Sequence, residues 1–135
     1  MIKASALILI AAFLLLPSQL YALAGNASRE TPRVEYVRPA NGSLVDLTGG
    51  KEVVFEWQRV PIPSGGRYCY KFNLYGEDGY KEIINQIVDP RTFSIAIPAE
   101  NFENGKTYRW RVRQRDDVTM IWSLYDLWYF KVIKK

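Results

Sequence analysis

The chain has 135 residues, 14% of them aromatic, with 18 basic and 14 acidic side chains and no histidine. A net charge of +4 is milder and less clustered than the basic excess of nucleic-acid binders, and the usual general base and commonest metal ligand are both missing. Cys69 is the single cysteine, so no disulfide closes within the chain and stability must come from packing.

The first 24 residues read as a secretory signal peptide. Lys3 is a short positive head, residues 6–16 are apolar, Pro17 breaks the run, and Ala22-Leu23-Ala24 offers a small-residue cleavage site after Ala24. The apolar run is too short for the roughly 20 residues a membrane-spanning helix needs, so no stable transmembrane span is expected after cleavage. The protein is therefore expected to be secreted, periplasmic or extracellular. Residues 25–32 are small and polar and read as a flexible tether. From residue 33 to 135 the length fits one domain able to bury a core.

Within that domain, short apolar runs alternate with turn signals and nothing shows a 3.6-residue period. Residues 33–38 form a first strand, closed by Pro39 and Asn41-Gly42-Ser43. Residues 52–59, "EVVFEWQR", alternate Val53, Phe55 and Trp57 onto one face. Pro61, Pro63 and Ser64-Gly65-Gly66 break the chain before "RYCYKFNLY" at 67–75. Glu77-Asp78-Gly79 turns into 80–88, Asp89-Pro90 precedes 92–97, and Asn104-Gly105 turns into "TYRWRVRQRD". Residues 127–133 close the domain. Seven half-buried strands with period-2 patterning predict an all-β, seven-stranded antiparallel sandwich.

These residues resemble a fibronectin type III domain. Trp57 stands in the second strand, where that family keeps a buried tryptophan. "FENGKTYRWRV", from Phe102 to Val112, resembles the family's L-x-P-G-x-x-Y-x-x-x-V segment, with Phe102 for the leucine and Asn104 for the proline. The resemblance implies that Tyr108 is a corner tyrosine whose hydroxyl returns to the backbone upstream, and that Trp57, Tyr108 and Trp110 are core. It also implies a loop of the F–G type from Asp116 to Ile121. Trp122-Ser123-Leu124-Tyr125 resembles a degenerate W-S-x-W-S segment, with Tyr125 for the second tryptophan.

If Tyr108, Trp110 and Val112 face the core, period 2 sends Arg109, Arg111, Arg113 and Arg115 to the opposite face. Two roles compete for this stripe. In one, Trp122, Tyr125 and Tyr129 supply rings that slot between guanidinium planes as a structural ladder, each contact worth about 0.5–2 kcal/mol. In the other, the arginine–aromatic face meets an anionic glycan.

No catalytic motif is present, and no base accompanies Cys69 in sequence; an enzyme is not expected, nor is a cofactor or a metal site. Asn26 and Asn41 fit the N-glycosylation pattern. The expectation is a non-catalytic interaction module that binds a protein partner through Asp116, Asp117, Met120 and Ile121 or along a sheet edge, with glycan binding as the alternative.

Overall fold

The computed structural model describes residues 30–62 and 67–135. The expected signal peptide, residues 25–29 of the expected tether with Asn26, and the break at 63–66 lie outside the described residues. Among the described residues, nine strands run in the order β1 (Glu35–Arg38), β2 (Ser43–Asp46), β3 (Val53–Gln58), β4 (Tyr68–Tyr75), β5 (Glu82–Val88), β6 (Ser94–Ile97), β7 (Thr107–Asp116), β8 (Ile121–Trp122) and β9 (Trp128–Ile133). The only helical element among the described residues is a single 3-10 turn, Ala99–Asn101.

The strands make two sheets, β1-β3-β6 and β2-β9-β7-β4-β5, with β8 attached to β7. All seven strands expected from the alternation are present. Two more exist, and one pairing departs from a purely antiparallel sandwich: β2 runs parallel to β9, from Ser43↔Phe130 to Asp46↔Ile133. The β2 sequence, Ser-Leu-Val-Asp, is four residues between Asn-Gly and Thr-Gly-Gly turn signals, too short for a period to register. β8 has two residues and no readable period at all.

Alternate residues of the two sheets meet as an aromatic core. Phe55 of β3 packs edge-on against Phe72 of β4 (4.8 Å between centroids), Trp110 of β7 (5.3 Å) and Phe130 of β9 (5.6 Å). Trp57 is buried against Tyr70 and Phe72. Offset and edge-to-face ring pairs of this kind add about 0.5–1.5 kcal/mol each beyond the area they bury.

The start of β7 is pinned by its tyrosine. Tyr108 is buried, and the Glu103 N–H donates to its hydroxyl at 2.7 Å. Gly105 makes the turn between them possible with φ +78°, where a side chain would be strained, and its N–H donates to the Val132 carbonyl at 2.8 Å. The domain's anchored contacts begin ahead of residue 33. Thr31 Oγ1 donates to the Ile121 carbonyl at 2.7 Å, and the Pro32 carbonyl accepts from Gln114 Nε2 at 2.8 Å. The last two residues of the expected tether are thus part of the sandwich.

Tyr108→Phe keeps the ring packing against Phe102 and Phe130 and removes only the hydroxyl. The expected loss is about 1 kcal/mol, since a backbone donor is left unpaired. Thermal unfolding should show a midpoint lower by about 4–8 °C.

Candidate functional site: the arginine–aromatic face and the β7–β8 loop

The site is built where regular pairing stops. β7 pairs with β9 only from Thr107↔Lys131 to Trp110↔Trp128, while on its other side it pairs with β4 along its length, to Tyr68↔Asp116. Beyond Trp110, side chains occupy the β7 edge that β9 leaves. The Val112 N–H donates to Tyr36 Oη at 3.0 Å, and that hydroxyl in turn donates to the Asp126 carbonyl at 2.7 Å. Gln114 is served by Ser123, whose Oγ accepts from the Gln114 N–H at 3.1 Å and whose N–H donates to the Gln114 carbonyl at 2.8 Å. β8 then resumes the ladder at Arg115↔Trp122 and Asp116↔Ile121.

Tyr36 reaches this position from the opposite sheet. Its ring stacks on Trp110 at 4.6 Å and meets Trp128 edge-on at 5.2 Å. Burial pushes its hydroxyl up to about 12, so it stays protonated as both donor and acceptor.

Residues 123–127 form no strand, although Ser123 stays hydrogen-bonded to Gln114, and this irregular stretch decides which side chains share a face. Trp122 and Tyr125 are three apart, so a regular strand would send them to opposite faces. Here both lie over the arginines of β7. The guanidinium carbon of Arg111 is 5.5 Å from the Tyr75 centroid and 4.2 Å from that of Tyr125. Arg113 lies 5.9 Å from Tyr125 and 5.3 Å from Trp122, and Arg115 lies 5.3 Å from Trp122. The order is therefore Tyr75, Arg111, Tyr125, Arg113, Trp122, Arg115, ring and cation alternating. Residues two apart on a strand are separated by about 6.6–6.8 Å, room for one flat ring making contacts of about 3.5 Å on each side.

Beneath the stack, Asn73 is fully buried although it belongs to the outward phase of β4. Its Oδ1 accepts from Arg111 Nε at 3.3 Å and its Nδ2 donates to Glu82 Oε2 at 3.0 Å. Arg113 is desolvated enough that burial lowers its pKa, and its Nε is buried with no hydrogen-bond partner among the described residues. Arg115 ends the row in a 3.2 Å ion pair with Asp117.

Arg109 and Tyr129 stand outside this row. Arg109 donates to the Glu77 carbonyl at 3.2 Å and packs on Gly79, where a Cβ would lie 2.9 Å from its Nη1. Tyr129 is half-exposed and lies over the β1–β2 turn, its N–H donating to Asn41 Oδ1 at 3.1 Å.

The loop between β7 and β8 is anchored through Asp116. That residue, expected among the loop contacts, is buried because it continues the inward phase of β7; its Oδ1 accepts from the Val118 N–H at 2.8 Å and its carbonyl from the Met120 N–H at 2.7 Å. Its role is inside the loop, not at the loop's surface. Asp117 is exposed but tied to Arg115 by the ion pair, and Met120 and Ile121 are exposed. Met120 also holds φ +61°, an uncommon conformation for a non-glycine residue.

Sequence reasoning missed Tyr36, Asn73, Gln114 and Ser123. For Gln114 a signal existed: a polar residue in phase with Tyr108, Trp110 and Val112 is aimed at the interior. It is buried, and its Nε2 ties the N-terminal segment to the β3–β4 connection through Pro32 and Val60 carbonyls at 2.8 and 3.1 Å. Cys69, opposite Arg115 on β4, has its thiol pKa pushed up by burial, the opposite of the shift that makes a cysteine reactive.

No family model and no curated protein matches the chain. Among solved structures, the FN1–FN3 domains of chicken CNTN1 superpose with a TM-score of 0.54 at 11% identity, covering 78% of this chain and 34% of that one. The fold is a fibronectin type III-like sandwich. The fibronectin type III-like chain spans about a third of that three-domain neighbour. CopC from Methylosinus trichosporium OB3b is also similar, with a TM-score of 0.48 at 15% identity, covering 75% of this chain and 94% of that one.

Arg111→Ser/Arg113→Ser removes two cations that touch three rings. With each contact worth about 0.5–2 kcal/mol, the thermal midpoint should fall by more than the roughly 4–8 °C that 1 kcal/mol represents at this size. An unchanged midpoint would leave the row a surface feature without structural weight.

Proposed function

We propose that this protein is a secreted or periplasmic, non-catalytic interaction module that binds a protein partner through the β7–β8 loop. The observation that carries the reading is the apolar loop tip: Val118 is 67% exposed and Met120 59%. Ile121 lies beside them, also exposed. Large apolar side chains grouped on the surface mark interaction sites, and aromatic or aliphatic anchors held on a rigid base dominate interface energetics. The base here is held by Asp116, by the Ser123–Gln114 pair and by Trp122 between two arginines. The signal-peptide layout of residues 1–24 supports export, and the absence of histidine supports a non-catalytic role.

The glycan reading draws less support from the geometry. Arg111, Arg113 and Arg115 already stack on rings, and Arg113 is desolvated, so their flat faces are committed within the domain.

Placing a photo-crosslinking residue at Val118 of the full chain, in cells that export it, tests the proposal. A discrete protein adduct is expected that persists at high salt and disappears with Met120→Asp/Ile121→Asp. A probe at Leu44, exposed on β2, should not give it. No adduct at Val118, or the same adduct from both positions, would remove the loop from consideration. An interaction lost on adding salt, with the apolar loop variants still binding, would favour the arginine face and an anionic glycan instead.

A further inference from the structure

We infer that β5 is a self-association edge: two copies of this chain pair antiparallel through it and join their larger sheets into one. This does not rest on the loop reading above and involves a different part of the surface.

β5 ends the larger sheet, bonded to β4 on one side and to no strand on the other among the described residues. A free edge displays a row of unpaired backbone donors and acceptors, and proteins that stay monomeric blunt such edges with short strands, charges or proline. The other outer strands of this sandwich are blunted. β1 has four residues with Glu35 and Arg38, β2 has four with Asp46, and β6 has four. β5 has seven residues, Glu82–Val88, and the six from 83 to 88, Ile-Ile-Asn-Gln-Ile-Val, carry no charge and no proline.

The centre of the edge is also exposed on both faces. In the pairing with β4, Gln86 stands opposite the core residue Phe72 and Ile87 opposite Lys71, so the two point to opposite faces. Both are exposed, Ile87 by 57%. At the middle of β5 the edge is thus exposed on both faces, while Val88 at its end is packed into the core.

A second copy fits this edge because the edge is chemically complementary to itself. The irregularity in the β4–β5 pairing lies between Leu74↔Ile84 and Tyr75↔Glu82, so residues 84–88 form a regular run. An antiparallel twofold centred on Gln86 keeps all five in register. Ile84 meets the partner's Val88 on the inward face, and Asn85 meets the partner's Ile87 on the outward face. Gln86 meets the partner's Gln86, where each amide supplies both a donor and an acceptor. No like charges oppose one another anywhere in the run.

The charge on residue 86 tests both the partner and the register. Gln86 is exposed, so Gln86→Glu and Gln86→Lys leave the core untouched, and matching thermal midpoints confirm that each is folded. Sedimentation equilibrium of the purified full-length chain should show a mass rising with concentration toward twice that of the protomer. Each variant alone places like charges directly opposite and should remain a protomer over the same range. An equimolar mixture of the two should recover the doubled mass. A protomer mass for the unaltered chain at every concentration overturns the proposal, as do variants that associate like the parent or a mixture that fails to recover.

Discussion

The contact on which the site depends is a flat cation against a flat ring, repeated along one face of β7. Strand spacing alone leaves a slot of about 6.6–6.8 Å between alternate residues. In this chain alternate residues are arginines, and Tyr125 and Trp122 enter two of the slots. Trp122 arrives from β8 and Tyr125 from the irregular residues 123–127, along which β7 has no regular strand partner on that side. Tyr36 and Ser123 take up the β7 backbone groups there. The stack and the two hydroxyl caps are thus one arrangement: the irregular stretch that supplies Tyr125 is also where the caps are needed.

This arrangement reaches well beyond one face. Tyr36 belongs to the smaller sheet, so its hydrogen bonds to Val112 and Asp126 cross the sandwich. Arg33 pairs with Asp126 at 3.0 Å, and Thr31 holds the Ile121 carbonyl. The N-terminal segment therefore clamps this stretch at both ends, and Gln114 fastens Pro32 and the β3–β4 connection from inside. In a domain with one cysteine, these long-range polar contacts and the stack close the sequence separations that a disulfide would otherwise close. The exposed apolar loop tip at Val118 and Met120 projects from this fastened stem, which would limit the ordering cost of the proposed binding.

Much of the sandwich was readable from alternation because its strands are half-buried: Val53, Phe55 and Trp57, or Tyr108, Trp110 and Val112, announce an inward face directly. The corner was readable only through the resemblance of residues 102–112 to the fibronectin type III segment, which implies that the Tyr108 hydroxyl returns to the backbone upstream. What alternation hid were residues whose surroundings come from elsewhere in the chain. Asp116 looked like a loop carboxylate by its neighbours, yet its phase with Val112 and Gln114 buries it. Asn73 is outward by phase and still buried, since Arg111 and the stack roof it. Tyr36 is separated from Val112 by 76 residues, and no local pattern connects them. β2 and β8 are too short to carry a period and exist because β9 and β7 offer them an edge.

A double-mutant cycle between Arg111 and Tyr125 tests the central claim most directly. Arg111→Ser, Tyr125→Ala and the pair would be compared with the parent by denaturant unfolding. The account predicts that the two substitutions are not additive, with a coupling of about 0.5–2 kcal/mol in favour of the intact pair. Additivity to within about 0.3–0.5 kcal/mol would mean the ring and the cation are neighbours without mutual support, and the stack would not be what holds the irregular stretch and the loop in place.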